Sequence, residues 1–592
     1  MDKRMIDTDL LVVGGGGAGF RAAIGAREKG AEVVLLSKGP IARCGATPMA
    51  GADFTMDGQS LNGLGFKGDP NDSYEKMFND IVTQGSYLNN QKLVDQYIRN
   101  APARGRELME WGIKVVFSEE RAIVTSGVGI MDALLGRAKQ LGVNMLEDTM
   151  MIDLVTRDGR VVGGLGLNIK SGEFVHFKTK AVVIASGGWH KAFWPNTGSR
   201  DLSGEGIAMA HRAGADIGNM EFITFACNIL LSPPAWKGSI TTYVIHLLAG
   251  GRLTNREGED FLEKYDPDLV KTGTTTEWNK SFVSHATMKE VREGKGSPNG
   301  GIYYSRGDVP WEEFEPRAKI VFPGWKYKAM DLSELGRIFK SGERVEVGPA
   351  VEYFDGGIVV NDRFETSVEG LYAAGECTLG TFGANRVFSA ITEMLVHGAD
   401  AGEHAAEFAK TVGASAKPYP ESLEAMEERV LLPLNLEDGV KPAQLRRRVQ
   451  QMAHSHLGPI RNEKELTAFI HFLEKVRTDE LPHLQTTSKT RVYNKEWLDA
   501  IELENIVFLL EAAARSALFR TESRGVHFRE DYPHTDNENW LLESRAAFKN
   551  GTFTVNRHPT TVTGLTPPEG IVPYLEWIKN MMQAHSDTGG LH

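Results

Sequence analysis

The chain has 592 residues, 41% of them hydrophobic and 24% charged, an ordinary balance for a folded globular protein that excludes disorder as its main state. That length exceeds what one compact core serves, so several domains are expected. Sixty-six Lys and Arg against 78 Asp and Glu leave a formal charge of −12, which argues against nucleic acid as the main ligand.

Only three cysteines occur, Cys44, Cys227 and Cys377, far apart and without a C-x-x-C pair. A zinc site, an iron–sulfur cluster or a c-type haem held by this chain alone is therefore not expected, and no metal ligands are assigned. So few cysteines fit a reducing, cytoplasmic setting. The first residues run directly into a strand pattern with no apolar leader segment. No stretch approaches the roughly 18 apolar residues that cross a bilayer.

In chain order, the apolar run 10–13 reads as a buried parallel strand, followed by the glycines of 14–19 in a G-x-G-x-x-G arrangement. A helical pattern over 20–26 and a second strand over 31–36 complete a dinucleotide-binding unit. Gly14 serves the tight turn, Gly16 lets the backbone approach a pyrophosphate, and Gly19 lets the helix lie close on the sheet. The helix N-terminal amides then face the phosphates. The acid that usually ends the second strand is absent. Ser37 and Lys38 stand there instead, a hydroxyl for the ribose and a cation for phosphate. Two later runs, 180–188 and 370–377, are buried strands ending in small residues, the second with the acid Glu376. Contacts returning from distant segments suit the longer FAD better than NAD. From about residue 420 the pattern turns helical, and 502–515 reads as a long, partly buried helix.

These residues resemble the flavoprotein subunits of the succinate dehydrogenase/fumarate reductase family, which includes L-aspartate oxidase and adenylylsulfate reductase. The match runs through the glycine loop, Ser37, Lys38 and Arg43, then Ala185 to Gly188, residues 203–210, Gly356 and Gly357, and residues 374–377. It ends with Gly383 to Arg386 and the C-terminal string 522–533. The resemblance implies an α/β fold: a Rossmann-type FAD-binding domain over 1–235 and 355–415, split by a capping domain over 236–354. A helical domain over 416–535 and a small C-terminal region over 536–592 follow. It implies FAD contacts at Gly14, Gly16, Gly17, Ala18, Gly19, Ser37, Lys38, Gly45, Ala46, Thr47, Gly51, Ala185, Ser186, Gly187, Thr197, Glu205, Glu376, Arg386, Ala390 and Ile391. The loop 43–51, where membrane-linked relatives attach flavin to a histidine, has no histidine, so FAD bound without a covalent link is expected.

The substrate residues depart from the family pattern. Arg386 matches the arginine that binds substrate carboxylate, a planar fork suited to that group. Aligned without gaps, Ala226 and Leu247 stand where the family has a histidine and an arginine, and Glu352 replaces a further histidine. His246 and Arg252 are then the expected proton donor or anion holder, with His190 as a second histidine. Arg515, Arg520, Arg524, His527 and Arg529 form a basic group expected in interdomain pairs or facing an acidic redox partner. The expected function is electron exchange between a small organic substrate, other than succinate or fumarate, and an iron–sulfur partner subunit. The expected setting is cytoplasmic, at most peripheral to a membrane through partners. A self-contained flavin oxidase and an inactive electron-relay subunit stand as alternatives.

Overall fold

The computed structural model describes residues 4–50, 53–271, 279–320, 333–414 and 416–586. Its central sheet has seven strands. The strand Arg4–Val13 lies between Val33–Leu36 and Phe174–Ile184, parallel to both, with Leu10 opposite Val33 on one side and Ala181 on the other. Asn144–Leu146 extends one edge and Leu371–Ala373 pairs with the end of Phe174–Ile184, again in parallel. Strands covered on both faces read as continuous apolar runs, and Leu10, Leu11 and Val12 are fully buried. The helix Gly17–Glu28 covers one face, packed against the helix Ala390–Thr411 that returns from almost 400 residues on.

A second sheet holds the cap. Its order is Ile223–Leu230, Val345–Phe354, Ile302–Ser305 and Arg252–Thr254, all antiparallel. The first of these strands, Ile223–Leu230, lies before residue 235. Val345–Phe354 brings the chain back to the frame and carries Glu352 and Tyr353 with it. The expected helix over 502–515 is the core of Lys495–Phe519, whose start is capped by the Asn494 side chain accepting from the Trp497 N–H. It is buried on nearly all sides, which explains why its apolar residues follow no single stripe. Among the described residues no helix is long and apolar enough to cross a membrane.

Candidate active site

One cavity of about 480 Å³ runs between the frame and the cap. Its floor is the turn after the strand Arg4–Val13. Gly14 takes φ +129°, and a Cβ there would lie 2.1 Å from the Ala185 carbonyl oxygen. A Cβ on Gly19 would lie 1.7 Å from the Gly14 oxygen, so only glycine lets the helix reach the turn. Gly16 differs: its nearest neighbour would be Thr47 Oγ1 at 3.7 Å, so the space beside it is open. Gly16 is also the N-cap and supplies no side-chain acceptor. The Gly17 N–H donates to Thr47 Oγ1 at 3.1 Å, and the positive dipole end of the helix adjoins the cavity, the arrangement that holds a diphosphate.

Around this cradle the cavity is lined by Gly14 to Ala18, Lys38, Gly45 to Thr47, Ala185 to Gly187, Thr197, Glu205, Glu376, Arg386, Ala390 and Ile391. Ser186 Oγ and Glu376 Oε1 are buried there without a hydrogen-bond partner, a donor and an acceptor that ribose and ribityl hydroxyls would satisfy. These residues fit a dinucleotide flavin. Gly19 lies behind the lining as a packing position. Ser37 also lies behind it, under Gly15 and 3.1 Å from Cys44 Sγ. Gly51 falls outside the described residues.

Lys38 lines the cavity, but its ammonium is engaged by protein partners. Its ammonium bonds Ser203 Oγ at 2.6 Å and pairs with Glu205 at 2.9 Å and Glu502 at 2.7 Å. Burial opposes its charge, but the two carboxylates outweigh burial and raise its pKa. Lys38 therefore ties the end of the second strand to the helical domain.

At the other end of the cavity three buried charges meet. Glu352 Oε2 accepts from the Lys280 ammonium at 3.0 Å, and Glu352 Oε1 lies 3.0 Å from Arg386 Nη2. Lys280 comes from the cap helix Lys280–Arg292, Glu352 from the returning strand and Arg386 from the frame. Burial pushes the Glu352 carboxyl up, yet Lys280 and then Arg386 overcome it and hold it at about 2. Glu352, which stands where the family has a histidine, is neutralised by its two partners, and the three side chains carry one net positive charge. The Arg386 guanidinium also lies 5.2 Å from the Tyr353 ring centroid and donates to the Phe388 carbonyl at 3.1 Å. His190 lines the cavity with Nε2 2.8 Å from the Glu352 backbone oxygen, so it braces that strand.

Behind this cluster two more carboxyls are buried. Tyr353 donates its hydroxyl to Glu393 at 2.6 Å, and Thr224 donates to Asp355 at 2.7 Å. Burial raises both acids to about 7, against these hydrogen bonds. Their folded pKa values exceed the unfolded ones, so their contribution to stability is full below about pH 4 and is lost as pH rises through 7. The buried histidines His246 and His285, held near 3 by burial, titrate on unfolding only below about pH 6.5 and act with the opposite sign there. From pH 6.5 to 8 the carboxyls decide, and the protein is expected to lose about 1–2 kcal/mol of stability. Thermal unfolding across that window should show a falling midpoint, abolished in an Asp355→Asn, Glu393→Gln variant. A flat wild-type profile would contradict the buried acids.

His246 and Arg252 do not reach this site. The helix Thr241–Ala249 turns Ile240, Tyr243, Val244 and Leu247 to the cavity. His246 lies on its other side, 3.2 Å from the Asn228 amide nitrogen and 4.8 Å from the Tyr304 ring, and burial lowers its pKa to about 3. Nearness in sequence put it beside the site, and helical phase turned it away. Arg252 pairs with Asp260 at 2.6 Å on the exposed face of the cap. Lys280 and Glu393, which the sequence reading missed, carry no spacing signal. Their significance comes from through-space partners.

The basic group near the C-terminus is internal. Arg520, Arg524 and Arg529 are buried and pair with Glu221, Glu522 and Asp531 at 2.7–2.8 Å. Glu221 precedes the cap strand, so its pair with Arg520 ties the C-terminal string to that segment, while the Arg524 and Arg529 pairs lie within the string itself. Arg515 pairs with Glu474 and Glu511.

Residues 9–390 match the family described as FAD binding domain, and residues 446–571 match fumarate reductase flavoprotein C-term. The chain is 29% identical over 560 residues to one of the subunits of the fumarate reductase (CoM/CoB) of Methanothermobacter marburgensis, covering 91% of this chain and 97% of that one. It is 27% identical over 609 residues to the succinate dehydrogenase flavoprotein subunit of Rickettsia conorii, covering 95% and 97%. Among solved structures, a mutant of E. coli quinol fumarate reductase FrdA superposes with a TM-score of 0.83 at 26% identity, covering 96% of this chain and 99% of that one.

Proposed function

The chain belongs to the FAD-dependent flavoprotein family of succinate dehydrogenase and fumarate reductase, and we propose that it exchanges two electrons between a singly anionic or carbonyl-activated CH–CH/C=C substrate and an iron–sulfur partner subunit. The observation that carries this reading is the single net positive charge of Lys280, Glu352 and Arg386 at the cavity. A C4 dicarboxylate needs a donor set at each end. Of the Lys and Arg side chains lining the cavity, Lys38 is committed to Glu205 and Glu502, and Arg386 alone adjoins the substrate end. Ala226 and Leu247 offer neither charge nor hydrogen bonds to a second carboxylate, and each hydrogen bond lost to a charged group costs about 1.5–3 kcal/mol.

Bound FAD supplies the hydride acceptor or donor. Arg386 holds the carboxylate or carbonyl oxygen and stabilises the negative charge that develops on it during hydride transfer. Beside the charge cluster, Tyr353 and Arg386 are lining groups that carry a proton at neutral pH. Lys280 stands one hydrogen bond behind Arg386 through Glu352 and is placed to restore a proton lost there. The cap, which contributes Lys280 and the apolar face of Thr241–Ala249, excludes water from the reacting carbons. Three separated cysteines give this chain no cluster of its own, so electrons leave to a second protein.

The test is anaerobic stopped-flow mixing of the reduced holoprotein with 2-enoates and with fumarate. Reoxidation by a monocarboxylic enoate is expected to exceed that by fumarate at least a hundredfold, and equal or faster oxidation by fumarate would overturn the reading. FAD is expected to be released by acid precipitation. The described loop carries no histidine, and the Cys44 thiol is raised by burial and bonded to Ser37. Flavin fluorescence that stays with the denatured chain would refute this.

A further inference from the structure

Ile240, Tyr243, Val244 and Leu247 stand at helical positions i, i+3, i+4 and i+7, so one continuous face of the helix Thr241–Ala249 forms a wall of the cavity. That face carries no charge. The opposite side is committed to the cap interior: Thr242 donates to the Asn228 carbonyl, and His246 packs on Tyr304. Leu247 lines the cavity and is 41% exposed, and Leu248 beside it is 44% exposed. The apolar wall therefore continues from the closed part of the cavity to its mouth. Met49 and Val387 are further apolar lining residues. A largely apolar wall with one cationic cluster matches a ligand with one polar end and an apolar body.

We propose that this wall binds an alkyl or aryl chain of the substrate, so that the reacting end lies at Arg386 and the apolar body runs along Val244 and Leu247 toward the mouth. The substrate class is a medium-chain or aryl-substituted acyl compound, as the free acid or a thioester. This rests on the reading of Arg386 as the group that holds the reacting end. In the reducing direction the C=C π bond breaks and two C–H bonds form. One comes by hydride from reduced FAD, which is thereby oxidised, and one by a proton from the chain. Each buried methylene contributes about 0.8 kcal/mol, a factor of about four in affinity. A second carboxylate at the same place would lose its hydration with no donor in return.

The experiment uses the full-length holoprotein, reduced anaerobically. It is mixed with trans-2-enoates of four to ten carbons and with their N-acetylcysteamine thioesters, while flavin reoxidation is followed. The concentration for half-maximal rate is expected to fall about fourfold per added methylene over the first few, in one or both series. In Leu247→Asp, whose side chain sits at the mouth, the preference for the eight-carbon over the four-carbon compound should drop at least tenfold. Circular dichroism and FAD content report whether that variant is folded, and Leu247→Ala, with a smaller loss of the same sign, serves as a second variant. Reoxidation by the four-carbon compound with no length dependence would overturn this inference and leave the role of Arg386 standing. Failure of every enoate, together with failure of the saturated acids to bleach the oxidised flavin, would overturn both.

Discussion

Arg386→Ala is expected to give a folded, FAD-containing protein whose flavin exchanges electrons with substrate about a hundredfold to a thousandfold more slowly. The guanidinium is the cation of the cluster that both lines the cavity and holds Glu352, at 3.0 Å. Its loss removes the charge that balances the developing oxyanion, an effect of about 3–4 kcal/mol where such donors have been deleted. It also leaves Glu352 with only Lys280 as a charged partner at 3.0 Å, and breaking a buried pair costs about 3–5 kcal/mol of stability. Arg386→Lys keeps the charge but not the fork, and should recover part of the rate. Stopped-flow half-reactions and flavin absorbance read the two effects separately. A rate within tenfold of wild type, with FAD retained, would remove Arg386 from the chemistry.

The second large effect separates packing from cofactor binding within one turn. Gly19→Val places a Cβ where the Gly14 oxygen already stands, at 1.7 Å. The helix Gly17–Glu28 cannot then seat on the sheet, and a loss above about 4 kcal/mol is expected, enough to leave little folded protein. Gly16→Val meets nothing closer than Thr47 Oγ1, 3.7 Å from its Cβ. It should fold with its secondary structure intact and yet retain little FAD, because the added methyls occupy the space open to a diphosphate. Circular dichroism, thermal unfolding and bound-flavin absorbance distinguish the two. If Gly16→Val bound FAD like the wild type, the open space beside Gly16 would not be the phosphate cradle.

The sequence by itself determined the cradle. Strand, glycines, helix and second strand are consecutive; Gly14 and Gly19 are required by nearby backbone or by the strand end at Ala185, and Gly16 leaves the open space that a diphosphate would take. The same holds for the buried strands of the central sheet, whose continuous apolar runs reflect burial on both faces. It also determined the absence of a histidine in the loop before Gly51 and the loss of the family's charged groups at Ala226 and Leu247. The tertiary structure alone decided which charges meet. Lys280, Glu352 and Arg386 come from three elements, and nothing in their spacing marks them as partners. Taken singly, Glu352 is a repelling charge. With two cations within 3.0 Å it becomes the link that holds them. His246 shows the same limit from the other side, since one step along a helix turns a side chain by about 100° and away from the site. Lys38 and the arginines near the C-terminus likewise found carboxylates at short range. Backbone geometry is written in neighbouring residues, whereas an ionisable group's role depends on the dielectric and the charges around it, which only folding assembles.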